Sequence, residues 1–381
     1  MMRTVLLISA LLLFSMSGAK AMDTGGGPDA DSNSEAPALL SGDSLAAPVL
    51  SWEVKWKSYT GSLPKAVVLT PDGTEAWITN FGFKEGDNVY VYDAATGKKL
   101  ASIDLPGRAV EIAFSNDGRT AYISDFDNGK LHAINVKTRT LKASATVGAN
   151  PKIVTMSPDG KNIYVSNWSS DDISVVDVKS FRETKRMKAG NSPRGSDTNS
   201  EGDRLYIANF NNFNMTVVDL VTGKTSVTIP LMRMPRHVKV TPDDTKVLVT
   251  CMGDGADRMA IIDPAEGMVD KWVTVGKGPK TIAVTPDSKY AFTADYTGHS
   301  VTMVDLEEGK AVAAIPGLGK SPCGMDISAD GQTLFVTSWF TRELRAISLD
   351  IGSGIDKNDA PSLVEDGAGP VSTLDKESAS H

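Results

Sequence analysis

Five basic residues stand at one place in a recurring phrase. Lys65, Lys152, Arg194, Arg236 and Lys280 each directly follow a proline that opens a short stretch such as "PKIVTMSPDG"; two further copies of the phrase hold Val110 and Cys323 there. A second place, later in the same copies, pairs a small polar residue with an aromatic one: Asn80-Phe81, Asp125-Phe126, Asn167-Trp168, Asn209-Phe210, Asp295-Tyr296 and Ser338-Trp339, with Cys251-Met252 the exception. Cations beside planar side chains suit an anionic ligand that carries flat groups, such as single-stranded nucleic acid, a nucleotide or an acidic glycan. Lysines whose stems cover an apolar rim while their heads stay solvated would leave the same trace. On the binding reading, Lys65, Lys152, Arg194, Arg236 and Lys280 face the anion. Phe81, Trp168, Phe210, Tyr296 and Trp339 then offer stacking surfaces.

Other chemistry is thinner. Cys251 and Cys323 are the only cysteines, and His237, Met234, Met252 and Met325 lie in the same copies. That is the soft-ligand set a metal such as Cu(I) selects, yet no CxxC or HxxH spacing accompanies it. A metal is therefore not assigned, and nothing calls for a cofactor. A disulfide between the two cysteines conflicts with their places in the repeat, because a whole unit should separate them. No GxSxG, HExxH or glycine-rich phosphate loop occurs in a fitting context. His237, Arg236 and Asp197 are the residues a hydrolase of the lactonase kind would use.

These residues must be positioned by a repeat. Aligned on the acid of "PDG", the copies fall at Asp72, Asp117, Asp159, Glu201, Asp243, Asp287 and Asp330, spaced 45, 42, 42, 42, 44 and 43 residues apart. A period of forty-odd residues marks an array of supersecondary units. Each unit reads as strand, tight turn, strand, polar loop, strand and a variable last strand, which is antiparallel meander chemistry. Proline ahead of Asp-Gly suits the turn, where glycine accepts positive φ. Helical periodicity is absent. Seven four-stranded units predict an all-β, seven-bladed β-propeller. The seventh unit lacks its fourth strand, and "SWEVKWKSYTG" (51–61) ahead of the first unit supplies one, so the N-terminal strand should complete blade seven and close the ring. In such a meander the two recurring places lie on one face, around the channel mouth. Blade four departs from the pattern: "PRGSDTNSE" puts Ser196 and Thr198 where its neighbours are apolar. Broken local rules tend to mark sites or strained features.

The phrase "SPDGKNIYVSN" resembles the YVTN repeat of exported bacterial and archaeal propellers, and residues 50 to 352 resemble the YncE-like periplasmic group. The resemblance implies the propeller fold; activity it leaves open, because propellers host enzymes, binders and scaffolds alike.

The ends read differently. Arg3, the apolar run "TVLLISALLLFSM" and "AKA" at 19–21 form a secretory signal over residues 1–21. Residues 22–48 and 353–381 are rich in Gly, Ser, Pro and Asp and read as disordered acidic segments flanking a propeller at 49–352. They carry about −5 and −4 of a net −8, and the signal about +2, so the folded body is close to neutral. No other apolar run is long enough to span a membrane. The expectation is a monomeric, exported, non-enzymatic binding module, periplasmic or extracellular, whose mouth takes an anionic ligand or a protein partner. The competing classes are the propeller hydrolase and a cell-surface scaffold with no small ligand.

Overall fold

The computed structural model describes residues 49–82, 88–253 and 255–352. The expected signal, linker and tail lie outside them. The described residues form seven four-stranded antiparallel sheets and no helix. Six sheets take four consecutive strands each. The seventh joins the first strand of the propeller, Val49–Tyr59, to the outer edge of Glu343–Gly352, so the ring is closed by its own N-terminal strand. Trp56 of that strand reaches beyond its sheet, donating from Nε1 to the Ala94 carbonyl of blade one at 3.2 Å, and Ser58 donates to the Gly97 carbonyl.

The core lies between blades. Alternate residues of the inner strands point into the inter-blade seams, where they meet the fully buried second and third strands, as with Val154, Val165 and Val176. The outermost strands are polar and exposed, for example Arg182–Lys188. The Pro-Asp-Gly turns work as the sequence implies. Gly160 has φ +69°, and Asp159 accepts from Ser157 Oγ and the Lys161 N–H. Those bonds hold the Asp159 carboxyl down at about 2. Where glycine is replaced, at Asp244 and Ser288, φ is still positive (59° and 60°), and each side chain accepts a backbone N–H from a neighbouring turn, Ser200 or Asp243.

One irregularity recurs in every blade and sets up the mouth. The opening proline of the inner strand pairs with the last residue of the second strand, and the register then slips: Pro151 faces Asn167, but the next partner of Val165 is Val154. Two residues, Lys152 and Ile153, thus oppose the single Ser166. Such a bulge bends the strand and re-aims the side chains that sit in it. The same slip follows Pro64, Ala109, Pro193, Pro235, Pro279 and Pro322.

Candidate functional site at the channel mouth

The bulge carries the cations. Lys65, Lys152, Arg194, Arg236 and Lys280 all occupy its first position and line one cavity of about 50 Å³ at the mouth of the channel, with Val110 and Cys323 completing the tier. Four of them are nearly buried: Lys152 8%, Arg194 8%, Arg236 3% and Lys280 7% exposed. Hydroxyls of the second strands fix several of these bulges across the blade seams. Ser124 Oγ accepts from the Glu111 N–H and donates to the Lys152 carbonyl at 2.7 Å; Thr250 does the same between the His237 N–H and the Lys280 carbonyl at 2.9 Å.

The aromatic residues are tied to the same spot. In each blade the residue before the inner strand accepts a hydrogen bond from the backbone N–H at the aromatic position. Trp168 donates to Asn150, Phe210 to Ser192, Tyr296 to Gly278 and Trp339 to Ser321. In every blade but the second the accepting residue is held in the left-handed region even where it is not glycine: Leu63 at φ 52°, Asn150 at 51° and Met234 at 52°. Such conformations cost on the order of 1 kcal/mol each, and the surrounding structure must supply it.

The outcome is a collar in which rings and cations alternate. Lys65 Nζ stands 5.3 Å from the centroid of Phe81 and 5.5 Å from Trp339. Lys152 lies 4.8 Å from Phe126 and 4.9 Å from Trp168. Arg194 lies 5.5 Å from Trp168 and 5.6 Å from Phe210, and Arg236 5.4 Å from Phe210. Lys280 lies 3.2 Å from Tyr296 and 5.4 Å from Trp339. Phe81 packs edge-on against Phe126, and Trp168 packs at a tilt against Phe210, with centroids 4.9 Å apart. The electron-rich face of an aromatic ring stabilises a cation without adding a formal negative charge. A partly desolvated cation can therefore be held here while the mouth stays electropositive.

Arg108 was not read from the sequence as part of this set. Blade two has Val110 at the cation position, and Arg108, two residues earlier, supplies the guanidinium instead. It sits 4.8 Å from Phe81 and 5.2 Å from Phe126, oriented by a double hydrogen bond to Asp127. The signal was the missing lysine itself, with an arginine close by.

The small polar residues of the second ring serve the fold. Asn167 donates to Asp172 and Ser174, Asn209 to Asn214 and Thr216, and Asp295 accepts from Thr293, Ser300 and Thr302. In blade two His132 takes the hydroxyl's place, 3.1 Å from Asp125.

Below the mouth the channel widens into a cavity of about 230 Å³ lined in part by Glu111, His237, Lys239 and Asp326. His237 Nδ1 accepts the Ile282 N–H at 3.3 Å, so the ring proton is on Nε2. Desolvation, then Lys239 and Arg194, drive its pKa down to about 3 and leave the imidazole neutral. Asp197 accepts the Val240 N–H and pairs with Lys239 Nζ at 3.3 Å. The three residues considered for hydrolysis are thus engaged separately: Arg236 in the collar, His237 on Ile282, Asp197 on Lys239.

Blade four's departure has a structural cause. Gly195 brings its strand against blade five, where a Cβ would fall 2.7 Å from the Val238 nitrogen and 2.8 Å from the His237 Cα, and Asp197 then caps the Val240 N–H. Ser196 bonds to Thr155 and Ser166 across the other seam. Blade seven repeats the device unnoticed in the sequence. Gly324 meets blade one, and Asp326 accepts the Leu69 N–H at 2.8 Å.

Cys251 and Cys323 are both free thiols. Cys323 lines the mouth, whereas Cys251 is packed among Val249, Met215 and Ile262, where burial pushes its thiol up to about 12. Among the described residues no group of three or more His, Cys, Asp or Glu side chains is assembled to hold a metal. No helix among them is long and apolar enough to cross a membrane.

Fold and site together define a closed seven-bladed propeller with a cationic mouth. The chain belongs to the YNCE-like beta-propeller family, whose model matches residues 29–204 and 199–360. Among solved structures it is similar to Kuenenia stuttgartiensis hydrazine synthase, at 19% identity and a TM-score of 0.67, over 77% of this chain and 96% of that one. At that identity the likeness is one of fold. The search of curated proteins returned no match.

Proposed function

We propose that this protein is a binding module whose channel mouth takes the anionic group of a ligand. The observation that carries the reading is the convergence of five cations on one small cavity, each held over aromatic faces. Holding nearly buried cations together costs mutual repulsion and desolvation, and an incoming anion relieves the first. The cavity's size favours a single phosphate or carboxylate group entering from above over a strand of bases laid across it. The faces of Phe81, Trp168 and Phe210 are turned to cations on both sides, so they stiffen the collar more than they offer platforms for bases. Nucleotides, nucleic-acid ends and acidic glycans all present a fitting group, as does an acidic protein segment. The same proposal has the protein act outside the cytoplasm, a reading supported by the signal-like sequence of residues 1–21.

Calorimetric titration with inorganic phosphate, a mononucleotide and a short single-stranded oligonucleotide, at low and high salt, tests it. Binding should weaken as salt rises and fall at least about tenfold in Lys152→Ala/Arg194→Ala. Equal binding by the folded double variant and the parent would overturn the reading.

A further inference from the structure

The cavity that gathers the cations also contains a carboxylate. Glu111 occupies the second bulge position of blade two, beside Val110, and lines both the mouth and the wider chamber below it. Lys65 faces it from blade one and Lys152 from blade three, with Arg194, Arg236, Lys280 and His237 around the rest of the mouth and Cys323 in the remaining place. From below, Asp326 of blade seven and Lys239 of blade five face the chamber. Glu111 makes one weak bond to its own strand, from the Ile112 N–H at 3.4 Å. Desolvation raises its pKa to about 7, with Asp326 adding to the rise and Lys65 opposing it. His237 does not exchange a proton in the neutral range, so it offers the cavity a fixed donor, Nε2–H.

An ionised carboxylate and an oxyanion repel each other across so small a space, and a proton held between them removes that repulsion. Either the carboxyl is protonated and donates to the anion, or the anion has a hydroxyl that donates to the carboxylate. We propose that Glu111 makes anion uptake at the mouth proton-linked, and so selects oxyanions that bring a proton of their own, such as hydrogen phosphate, over those that bring none, such as sulfate. This rests on the mouth being an anion site and assigns a specificity residue within it. Hydrogen phosphate meets Glu111 as a carboxylate. Sulfate, fully ionised throughout the neutral range, is taken only together with a proton from solvent.

The test is calorimetric titration of the full propeller with potassium phosphate and potassium sulfate at pH 6.0 and pH 8.5, in buffers free of both anions. For the parent, the sulfate Kd should rise about 30-fold between the two pH values, since each pH unit above the carboxyl's pKa removes about nine-tenths of the protonated form. The phosphate Kd should change less than about threefold. In Glu111→Gln, which keeps the shape and offers a permanent N–H donor, sulfate binding should become flat with pH, and phosphate should lose its advantage at pH 8.5. Repeating the sulfate titration in buffers of different ionisation enthalpy counts protons directly. Near pH 8 the parent should take up close to one per sulfate, a readout independent of whether the variant folds. Sulfate and phosphate weakening in parallel, a pH profile unchanged in Glu111→Gln, or no proton uptake would each overturn the role of Glu111 and leave the anion site standing. Failure of both anions to bind at either pH would overturn the anion site as well.

Discussion

Asp295 shows how one position of the repeat can serve the same structural end with different chemistry. At the end of blade six's second strand it accepts from Thr293, Ser300 and Thr302, while Asn167 and Asn209 do the equivalent task in blades three and four. Burial raises its carboxyl from 3.8 to about 6, against the pull of those three hydroxyls. The folded state therefore holds the proton more tightly than the unfolded state. That contribution to stability is complete below about pH 3.8 and is lost as pH rises through about 6. Asp295→Asn should remove this loss. Thermal unfolding of variant and parent at pH 4.5 and 7.5 should show the variant gaining relative to the parent at the higher pH, by on the order of 2–3 kcal/mol. A difference that stays constant with pH would show that the carboxyl is ionised at little cost in the fold. At this scale the sequence was legible in part. The five cations and their aromatic neighbours stand at fixed repeat positions, and the structure gathers the cations on one cavity. Arg108 and Glu111 were not legible. Each depends on which face a bulged residue or its preceding loop turns to the channel, and that is decided by neighbouring blades.

Among the elements, the inner strand carries most of the design. Its bulge points the first residue at the mouth, and its second residue decides how closely adjacent blades approach. Ala66, Ile153 and Thr281 stand where blades four and seven have glycine. Gly324 lies so close to blade one that a Cβ would sit 2.9 Å from both the Ala66 Cα and the Val67 nitrogen. Backbone cannot yield as a side chain tip can, so Gly324→Ala should cost about 1–3 kcal/mol in chemical denaturation. Ser328→Ala, at the exposed turn that follows, should cost less. If Gly324→Ala proved neutral, the blade seven to blade one seam would have room that the inner-strand geometry denies. The Gly-x-Asp pairing in "PRGSD" and "PCGMD" was visible as letters. Its meaning was not, because the partner backbone groups of Val240 and Leu69 lie one blade away. The sequence marks blade four as breaking the pattern without giving a cause; in the structure the strand closes tightly on blade five at Gly195.

For the whole molecule, closure follows from the count of strands. Three strands remain after the last complete blade, and the strand from the other end of the propeller fills the gap, pairing from Val49↔Gly352 to Tyr59↔Glu343 with one bulge at Lys55. That pairing satisfies an edge that would otherwise present free N–H and C=O groups along Glu343–Gly352. Trp56 stacks edge-on against Phe335 and also bonds to Ala94 of blade one, so the same strand joins blade seven to its neighbour. The surrounding ring should depend on it more than on any outer strand of blades one to six, because only this one is supplied from the opposite end. Removing residues 49–59 should lower the unfolding midpoint by more than about 10 °C and make the protein self-associate at the exposed edge. A synthetic peptide of that segment, added in excess, should reverse this self-association by pairing in trans. Scattering and thermal unfolding would measure both. A truncated chain that matches the parent in size and melts with it would mean that the seam between blades seven and one holds through its inner strands alone. The cavity at the mouth, built by those inner strands, would then be independent of how the ring is closed.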